Sequence, residues 1–465
     1  MDKLIRRILL LSTQYKIDDI DTALIQNYID SLNLHVIRNS SLKEITNSKS
    51  KEIWEIKTWL NQNQIKLDLD LLLKYYELQV SPQDRKKNGS YYTPNNVINF
   101  IIDRVVIDGV DKILDPACGS GAFLLGAAIK LKKFTKQTYK EIFDKYIYGV
   151  DIVPINVYRT KIILTLLALS SGEDEKNFNF NIYQGDSLAF DWEIYIKNFE
   201  GFKYIVGNPP YVRTKNLTRE MRESLTRWST TYLGNMDLYI PFFELGLSLL
   251  SKDGIMGYIS PNTYFTSLNA RVLRQLLKQK RVVKTIIDFD GLKIFKGATT
   301  YTGITILTAR PNEYISFNLI DDYNLIDKLS ELKPTHIRYE ALGDDEWRLL
   351  SEKDLNNIRK IESVGSPLFK YAKRMITGIA TLNNNLYLID GNKKNGQYFL
   401  KTYKNKSYLI EKEVTRKIIK PNIIKSEAAL AHNRERIIYP YISKDGKYEL
   451  IPEETLKKQF PKTYE

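Results

Sequence analysis

The sequence predicts an α/β protein: a doubly wound sheet of seven strands, preceded by a helical N-terminal region and followed by a smaller mixed C-terminal domain. Three observations carry this. Before about residue 85, apolar residues recur at three- and four-residue spacing. From about Asp111 to Arg310, short β-branched runs alternate with helical patterns, as in βαβ units built around a parallel sheet. Beyond Arg310 the text breaks into short strands, turns and basic clusters. The expected domains are therefore 1–85, 86–315 and 316–465.

In the first region, Ala23 to Leu34, Ile53 to Leu60 and Leu67 to Val80 read as helices, and Ser81-Pro82 stops the last of them. Glu55-Ile56-Lys57 has the ending of a nuclease metal motif, but it sits in a helical pattern without an upstream Pro-Asp, so no nuclease is expected there. In the sheet region the strands are Lys112 to Leu114, Ile147 to Val150, Phe180 to Gln184, Tyr204 to Val206, Ile255 to Ile259, Thr285 to Phe289 and Thr302 to Ala309. Helices are expected at Phe123 to Phe134, Pro154 to Leu169, Asp237 to Leu250 and Asn269 to Gln279. Ligands of such sheets bind at the carboxyl ends of the strands. Pro452 to Glu465 begins like a helix and stops without a cap, which suggests either a short C-terminal domain or a chain cut inside it.

Composition narrows the function. The 465 residues are 43% hydrophobic and 27% charged, the balance of a folded globular protein. No apolar run reaches the length of a signal core or membrane span, and the one cysteine, Cys118, cannot form an internal disulfide; a cytoplasmic setting is expected. Three scattered histidines with one cysteine make no metal cage, so no metal is expected. The net charge is +14, of which +10 lies between Ser351 and Glu465, including Lys393-Lys394-Asn395-Gly396 and Lys401 to Lys406. A localised positive field suits phosphate neutralisation on nucleic acid; a solvated lysine-rich surface accounts for it equally.

Asp115-Pro116-Ala117-Cys118-Gly119-Ser120-Gly121 follows the first strand and opens a helix, and its glycines permit a tight turn with close ligand approach. A phosphate-binding P-loop would end in Gly-Lys-Ser/Thr, whereas Ala122 and Phe123 follow Gly121, and the spacing of a dinucleotide fingerprint is also missing. The second strand ends at Asp151, placed to accept hydrogen bonds from both hydroxyls of a ribose, and the third is followed by Asp186, placed to accept from an exocyclic amine. Each aspartate alone is more often a turn or helix-cap residue than a ligand. Three acidic loops on successive strands describe a nucleoside site with no pyrophosphate clamp, which suits S-adenosylmethionine better than NAD or ATP.

The fourth strand runs into Asn208-Pro209-Pro210-Tyr211, the most specific text in the chain. An aromatic amine is a poor nucleophile because its lone pair is delocalised into the ring. The Asn208 side-chain oxygen and the Pro209 carbonyl can accept both N–H groups and stabilise the charge that develops on methyl transfer, while Tyr211 offers a face for a flipped base.

Together these motifs resemble the gamma-type adenine-N6 DNA methyltransferases of restriction-modification systems, over roughly residues 75–425. The resemblance implies a class I methyltransferase sheet with S-adenosyl-L-methionine as cofactor. Arg85-Lys86-Lys87-Asn88-Gly89-Ser90-Tyr91-Tyr92-Thr93-Pro94 looks like the cofactor motif that precedes the sheet. It implies cofactor contacts from Tyr92 and Thr93, from Asp115, Pro116, Ala117, Gly119 and Gly121 in the methionine loop, from Asp151 and Ile152 at the ribose, and from Asp186 and Ser187 at the adenine. Asn208 to Tyr211 takes the catalytic role. Lys293-Ile294-Phe295 is similar to the segment whose aromatic residue touches the target base, which implies Phe295; an ordinary core phenylalanine is the other reading. Ile376-Thr377-Gly378-Ile379-Ala380-Thr381 to Ile389 and Ile418-Ile419-Lys420-Pro421 look like parts of a target-recognition domain.

The expected function is a site-specific DNA methyltransferase that extrudes an adenine from double-stranded DNA and methylates its N6, as the modification component of a restriction-modification or phage-defence system. A cognate restriction endonuclease or specificity partner on another chain would accompany it. Cytosine-C5 chemistry is excluded, because its nucleophilic cysteine follows a proline and Cys118 follows Ala117. Cytosine-N4 methylation commonly has serine where this chain has Asn208. A protein-glutamine N5 methyltransferase shares Asn-Pro-Pro-Tyr but needs no basic C-terminal region. A DNA-specificity module with a decayed catalytic core is disfavoured by the intact loops.

Overall fold

In the computed structural model the described residues are all but Met1, His35, 80–91, 214–216, 218, 232–236, 296–299, 374–377, 380, 382, 421–423, 425 and 445–446. Arg85 to Tyr91, Ile376, Thr377, Ala380 and Pro421 therefore lie outside them. The chain divides into two compact units, Met1–Ile361 and Glu362–Glu465.

The first unit opens with helices α1 (Asp2–Leu10), α2 (Ile17–Ser31), α3 (Ser40–Asn47), α4 (Lys51–Gln62) and α5 (Leu69–Gln79). Helix α2 stops short of the expected Leu34, and Asn33 takes the left-handed conformation (φ 53°) that ends a helix. Asn39 and Ser50 cap α3 and α4 by accepting the Leu42 and Ile53 amides, each at 3.1 Å. Glu55 accepts the Tyr15 hydroxyl and Lys57 pairs with Asp30, so both polar ends of that triplet serve packing between helices. The apolar faces of these helices do not close on themselves. Ile20, Leu24, Ile56 and Leu72 belong to the same buried cluster as Ile163, Leu166 and Val206 of the sheet unit, so the N-terminal helices share its core.

Next come α6 (Asn95–Val105), β1 (Ile113–Asp115), α7 (Ala122–Phe134), α8 (Tyr139–Lys145), β2 (Ile147–Asp151), α9 (Pro154–Ser170), β3 (Asn181–Gln184) and β4 (Phe202–Gly207). They are followed by α10 (Tyr239–Leu249), β5 (Leu250–Pro261), α11 (Arg271–Lys280), β6 (Val283–Asp288), β7 (Thr302–Thr308), β8 (Tyr314–Leu319) and β9 (Thr335–Arg338). All seven expected strands are present, but the sheet has nine, in the order β3-β2-β1-β4-β5-β7-β6-β8-β9. It is also mixed rather than parallel, because β7 runs antiparallel to both β5 and β6. The extra strands displace the expected boundary at residue 316. Strand β8 pairs with β6, β9 pairs with β8, and Ile315, Ile337, Tyr339, Leu342 and Trp347 are buried in the second core, on the other side of the sheet from the first.

Strand order reverses between β1 and β4, which are parallel neighbours in the register Ile113↔Tyr204 and Leu114↔Ile205. This is the switch point at which chains leave adjacent strands in opposite directions and open a crevice at the carboxyl ends.

The second unit has its own small core of Ile389, Phe399, Ile410, Val414 and Ile451. Its basic Lys401 to Lys406 stretch is a hairpin in which Tyr398–Tyr403 pairs with Lys406–Glu411. Lys404 and Asn405 at the turn have positive φ (48° and 63°), the conformation that matches the strands' right-handed twist in a two-residue hairpin. Among the described residues no helix is long and apolar enough to cross a membrane.

Candidate active site

The crevice is lined first by the loop after β1. Asp115 ends the strand at 1% exposure, and an added Cβ on Gly207 of β4 would lie 2.7 Å from its Oδ1, so this carboxyl sits directly against the backbone that leads into Asn208. Burial pushes its pKa up to about 8; the Ala117 amide, donating at 3.0 Å, pulls the other way, and the charge of Asp151 adds a little. The loop then turns back on itself, with the Gly121 amide donating to the Cys118 carbonyl at 2.8 Å. Gly121 has φ +94°, and a Cβ there would meet the Thr160 methyl at 2.9 Å, so both the turn and the close approach demand glycine. Gly119 faces open space, with nothing within 4 Å of the position its Cβ would take.

Asp151 closes over that space. Its Oδ2 accepts the Gly119 amide at 2.9 Å, and its Oδ1 accepts the Val153 amide at 2.8 Å and Asn156 Nδ2 at 3.0 Å. Burial raises its pKa, and these three donors oppose the rise. The expectation that it receives both ribose hydroxyls meets a limit here, since a carboxylate offers about four acceptor sites and three are already used. Asp186 Oδ1 accepts the Leu188 amide at 3.0 Å, the capping contact of the next turn. Ser187 is buried and its hydroxyl donates to the Pro116 carbonyl, tying the loop after β3 to the loop after β1. Ile152 is half exposed beside Asp151, which suits an apolar face for a planar ring. Among the described residues no lysine or arginine forms an ion pair with Asp115, Asp151 or Asp186. These three carboxyls offer hydrogen-bond acceptors rather than a cationic clamp, a pattern that suits a nucleoside with a sulfonium group better than a pyrophosphate.

Because the folded chain protonates Asp115 more readily than the unfolded chain does, stability is full below the ordinary carboxylate range and is lost as pH rises through about 8. Asp115→Asn keeps an acceptor for Ala117 and removes the titration. Its melting temperature is expected to fall less than the wild type's between about pH 6 and about pH 9. Parallel melting curves across that range would show that Asp115 is ionised in the folded chain.

The second wall is the end of β4. Pro209 is buried, and Asn208 and Pro210 are partly so. Asn208 Nδ2 donates to the hydroxyl of Thr93 at 3.1 Å, and Thr93 is itself 3% exposed just before α6. The resemblance implied that Thr93 lies near the methionine moiety of the cofactor; its bond to Asn208 has no signal in the text, since 115 residues separate the two. Tyr92 donates to Asn95 at 3.4 Å, with the Lys74 ammonium 5.3 Å from its ring centre. The Tyr211 hydroxyl donates to the Ile259 carbonyl of β5 at 3.3 Å. Its ring meets Phe295 edge-on at 5.9 Å and Tyr239 edge-on at 6.3 Å. Phe295 is 2% exposed, so in this arrangement it supports Tyr211 as a core ring.

The site residues named from sequence thus lie at the carboxyl ends of β1 to β4, with Tyr92 and Thr93 ahead of α6 and Phe295 behind Tyr211. Sequence reading missed Thr160, whose hydroxyl donates to the Gly119 carbonyl at 2.9 Å, and Asn156, which holds Asp151. Both lie on α9 facing the loop, and their i, i+4 spacing after Asp151 was the available hint.

Comparison with known proteins agrees with the motifs. Residues 145–295 match the model of the Eco57I restriction-modification methylase family. The chain is 26% identical over 446 residues to the type II restriction enzyme and methyltransferase RM.Eco57I of Escherichia coli, covering 80% of this chain and 44% of that protein. It is 24% identical over 348 residues to the type II methyltransferase M.BstVI of Geobacillus stearothermophilus, covering 67% and 62%. The fold of the type IIG restriction endonuclease BpuSI is similar, with a TM-score of 0.52 at 17% identity over 76% of this chain and 45% of that one. A nuclease-deletion mutant of the type ISP restriction-modification enzyme LlaGI, in complex with a DNA substrate mimic, gives a TM-score of 0.50 at 17% identity, over 73% and 35%. The chain is similar in sequence to restriction-modification methyltransferases, and it spans less than two thirds of the length of each of these relatives.

Proposed function

We propose that this chain is the methyl-transferring part of a site-specific DNA modification enzyme that methylates N6 of an adenine swung out of the duplex. The observation that carries the reading is the Asn208 amide, held by Thr93 at the tip of β4 beside the Asp115 loop. S-adenosyl-L-methionine, when bound, supplies an electrophilic methyl group. Asp151 would take a ribose hydroxyl on its remaining acceptor site, Asp186 the adenine amine, Ile152 the ring face, and the Asp115 to Gly121 loop the methionine end together with Tyr92, Thr93 and Ser187.

The chemistry asked of the chain is modest. With its nitrogen engaged by Thr93, Asn208 presents a carbonyl oxygen to one N–H of the target amine, and the Pro209 carbonyl takes the other. These two dipoles favour the cation that develops on the nitrogen as the C–N bond forms. The proton of the methylated amine is then acidic enough to leave to water without a dedicated base. Tyr211, braced by Ile259, Phe295 and Tyr239, would stack on the extruded base and offset the few kcal/mol that extrusion costs. The basic C-terminal unit would neutralise phosphates and carry sequence recognition, and a cognate endonuclease would act on the same target.

The test is to incubate the chain with double-stranded DNA and methyl-labelled donor, then digest to nucleosides. Label in N6-methyladenine is expected. Label in N4-methylcytosine, on a polypeptide glutamine, or in no product would overturn the reading.

A further inference from the structure

The N-terminal helices carry no motif, yet they hold a buried polar cluster that reaches the sheet unit. Arg159 of α9 is 4% exposed. Its Nη2 bonds Asp21 Oδ2 of α2 at 2.7 Å and also donates to Gln79 Oε1 at the end of α5, and its guanidinium lies 4.4 Å from the Tyr76 ring centre. Gln79 Nε2 in turn donates to the Tyr75 hydroxyl at 2.6 Å and to Asp21 Oδ1 at 3.4 Å. Three helices therefore meet at one guanidinium.

Burying such a pair is a poor way to gain stability, because desolvating both charges offsets most of their attraction and apolar side chains would pack as well. What the cluster supplies is geometry: a planar fork with fixed donor directions holds α9 in one rotation and one axial position. The face of α9 adjacent to Arg159 bears Asn156 and Thr160. Asn156 bonds Asp151, the Thr160 hydroxyl bonds the Gly119 carbonyl, and the Thr160 methyl fills the space beside Gly121. A turn or slide of α9 would move all three contacts together.

We propose that Asp21 and Arg159 are positioning residues for the methyl-donor site: the N-terminal helices hold α9 through this pair, and α9 holds the Gly119 to Gly121 loop and Asp151 in the binding arrangement. The inference rests on reading that loop as the donor site. It gives the N-terminal region a part in the reaction without any contact to the reacting groups.

The experiment is calorimetric titration of the full chain with S-adenosylmethionine. Asp21→Asn is expected to weaken binding about ten-fold, within the usual range for coupling between distant sites. Ile56→Val, a core change in α4 that removes no atom of the pair or of the loop, should lower the melting temperature and leave the affinity alone. Thr160→Val should weaken binding too, and the double variant Asp21→Asn/Thr160→Val should fall short of the product of the two single effects, because both act through one helix. Gln79→Met, which leaves the charges in place, should show a smaller loss in the same direction if Asp21→Asn does not fold. Full affinity in the Asp21 and Gln79 variants, an equal loss in Ile56→Val, or strictly multiplicative effects would overturn the proposal while leaving the donor site standing. Wild-type protein that fails to bind S-adenosylmethionine would overturn the donor site and this inference together.

Discussion

Asn208→Ala lowers the rate of methyl transfer to duplex DNA by roughly a hundred- to a thousand-fold and leaves S-adenosylmethionine affinity within about two-fold. The size follows from what one aligned dipole contributes at a charge-developing centre, about 3–4 kcal/mol when the site is closed to water. The selectivity follows from position. Asn208 follows β4, whereas the Gly119 contact, Asp151 and Asp186 sit at the ends of β1, β2 and β3. Thr93→Val probes the same amide from behind. It removes the hydroxyl that accepts Asn208 Nδ2 and should cost about ten-fold in single-turnover rate, the worth of one hydrogen bond of about 1 kcal/mol or a little more. Thr93→Ser should restore most of it. Wild-type single-turnover rates in Asn208→Ala would remove this residue from the chemistry.

Asp151→Ala has the complementary signature. The carboxylate accepts three donors, Gly119 from the loop and Val153 and Asn156 from the start of α9, and so latches the loop to the helix. Deleting it leaves the Gly119 amide unpaired and removes the acceptor intended for the ribose. With hydrogen bonds to charged groups contributing about 1.5–3 kcal/mol each, the donor dissociation constant should rise by about a hundred-fold. The rate at saturating donor should change little, since Asn208 and Tyr211 stay in place. Equilibrium dialysis with labelled S-adenosylmethionine measures the first effect and single-turnover transfer the second. An unchanged dissociation constant would mean that the ribose lies elsewhere.

The expected strands were legible because most are short apolar runs closed by a turn residue, Gly or Asp after the first four and Ser260-Pro261 after the fifth, and burial on both sheet faces makes such runs continuous. What escaped depended on distance along the chain. Nothing in Thr302 to Thr308 announces that it runs antiparallel; the signal available was the lack of any helical pattern after Asp288, since a parallel return needs a crossover. Strand β9, Thr-His-Ile-Arg, is too short and polar to stand out, yet Ile337 is buried and carries the sheet past the expected boundary. The same divide holds in the site. Asp115, Asp151, Asp186 and Asn208 each sit where a strand ends, a position read directly from local pattern. Thr93 beside Asn208, and Asp21 beside Arg159, are pairings between residues more than a hundred positions apart, and no periodicity encodes them. Phe295 was legible as an important ring, but its packing against Tyr211 was not.

The small core of the second unit shares no residue with the two cores that flank the sheet. Substitutions inside that core therefore remove no side chain from either core of the sheet unit. On the proposed reading, in which the second unit carries target recognition, a lineage can drift toward new target sequences while the core behind the transfer site is inherited unchanged.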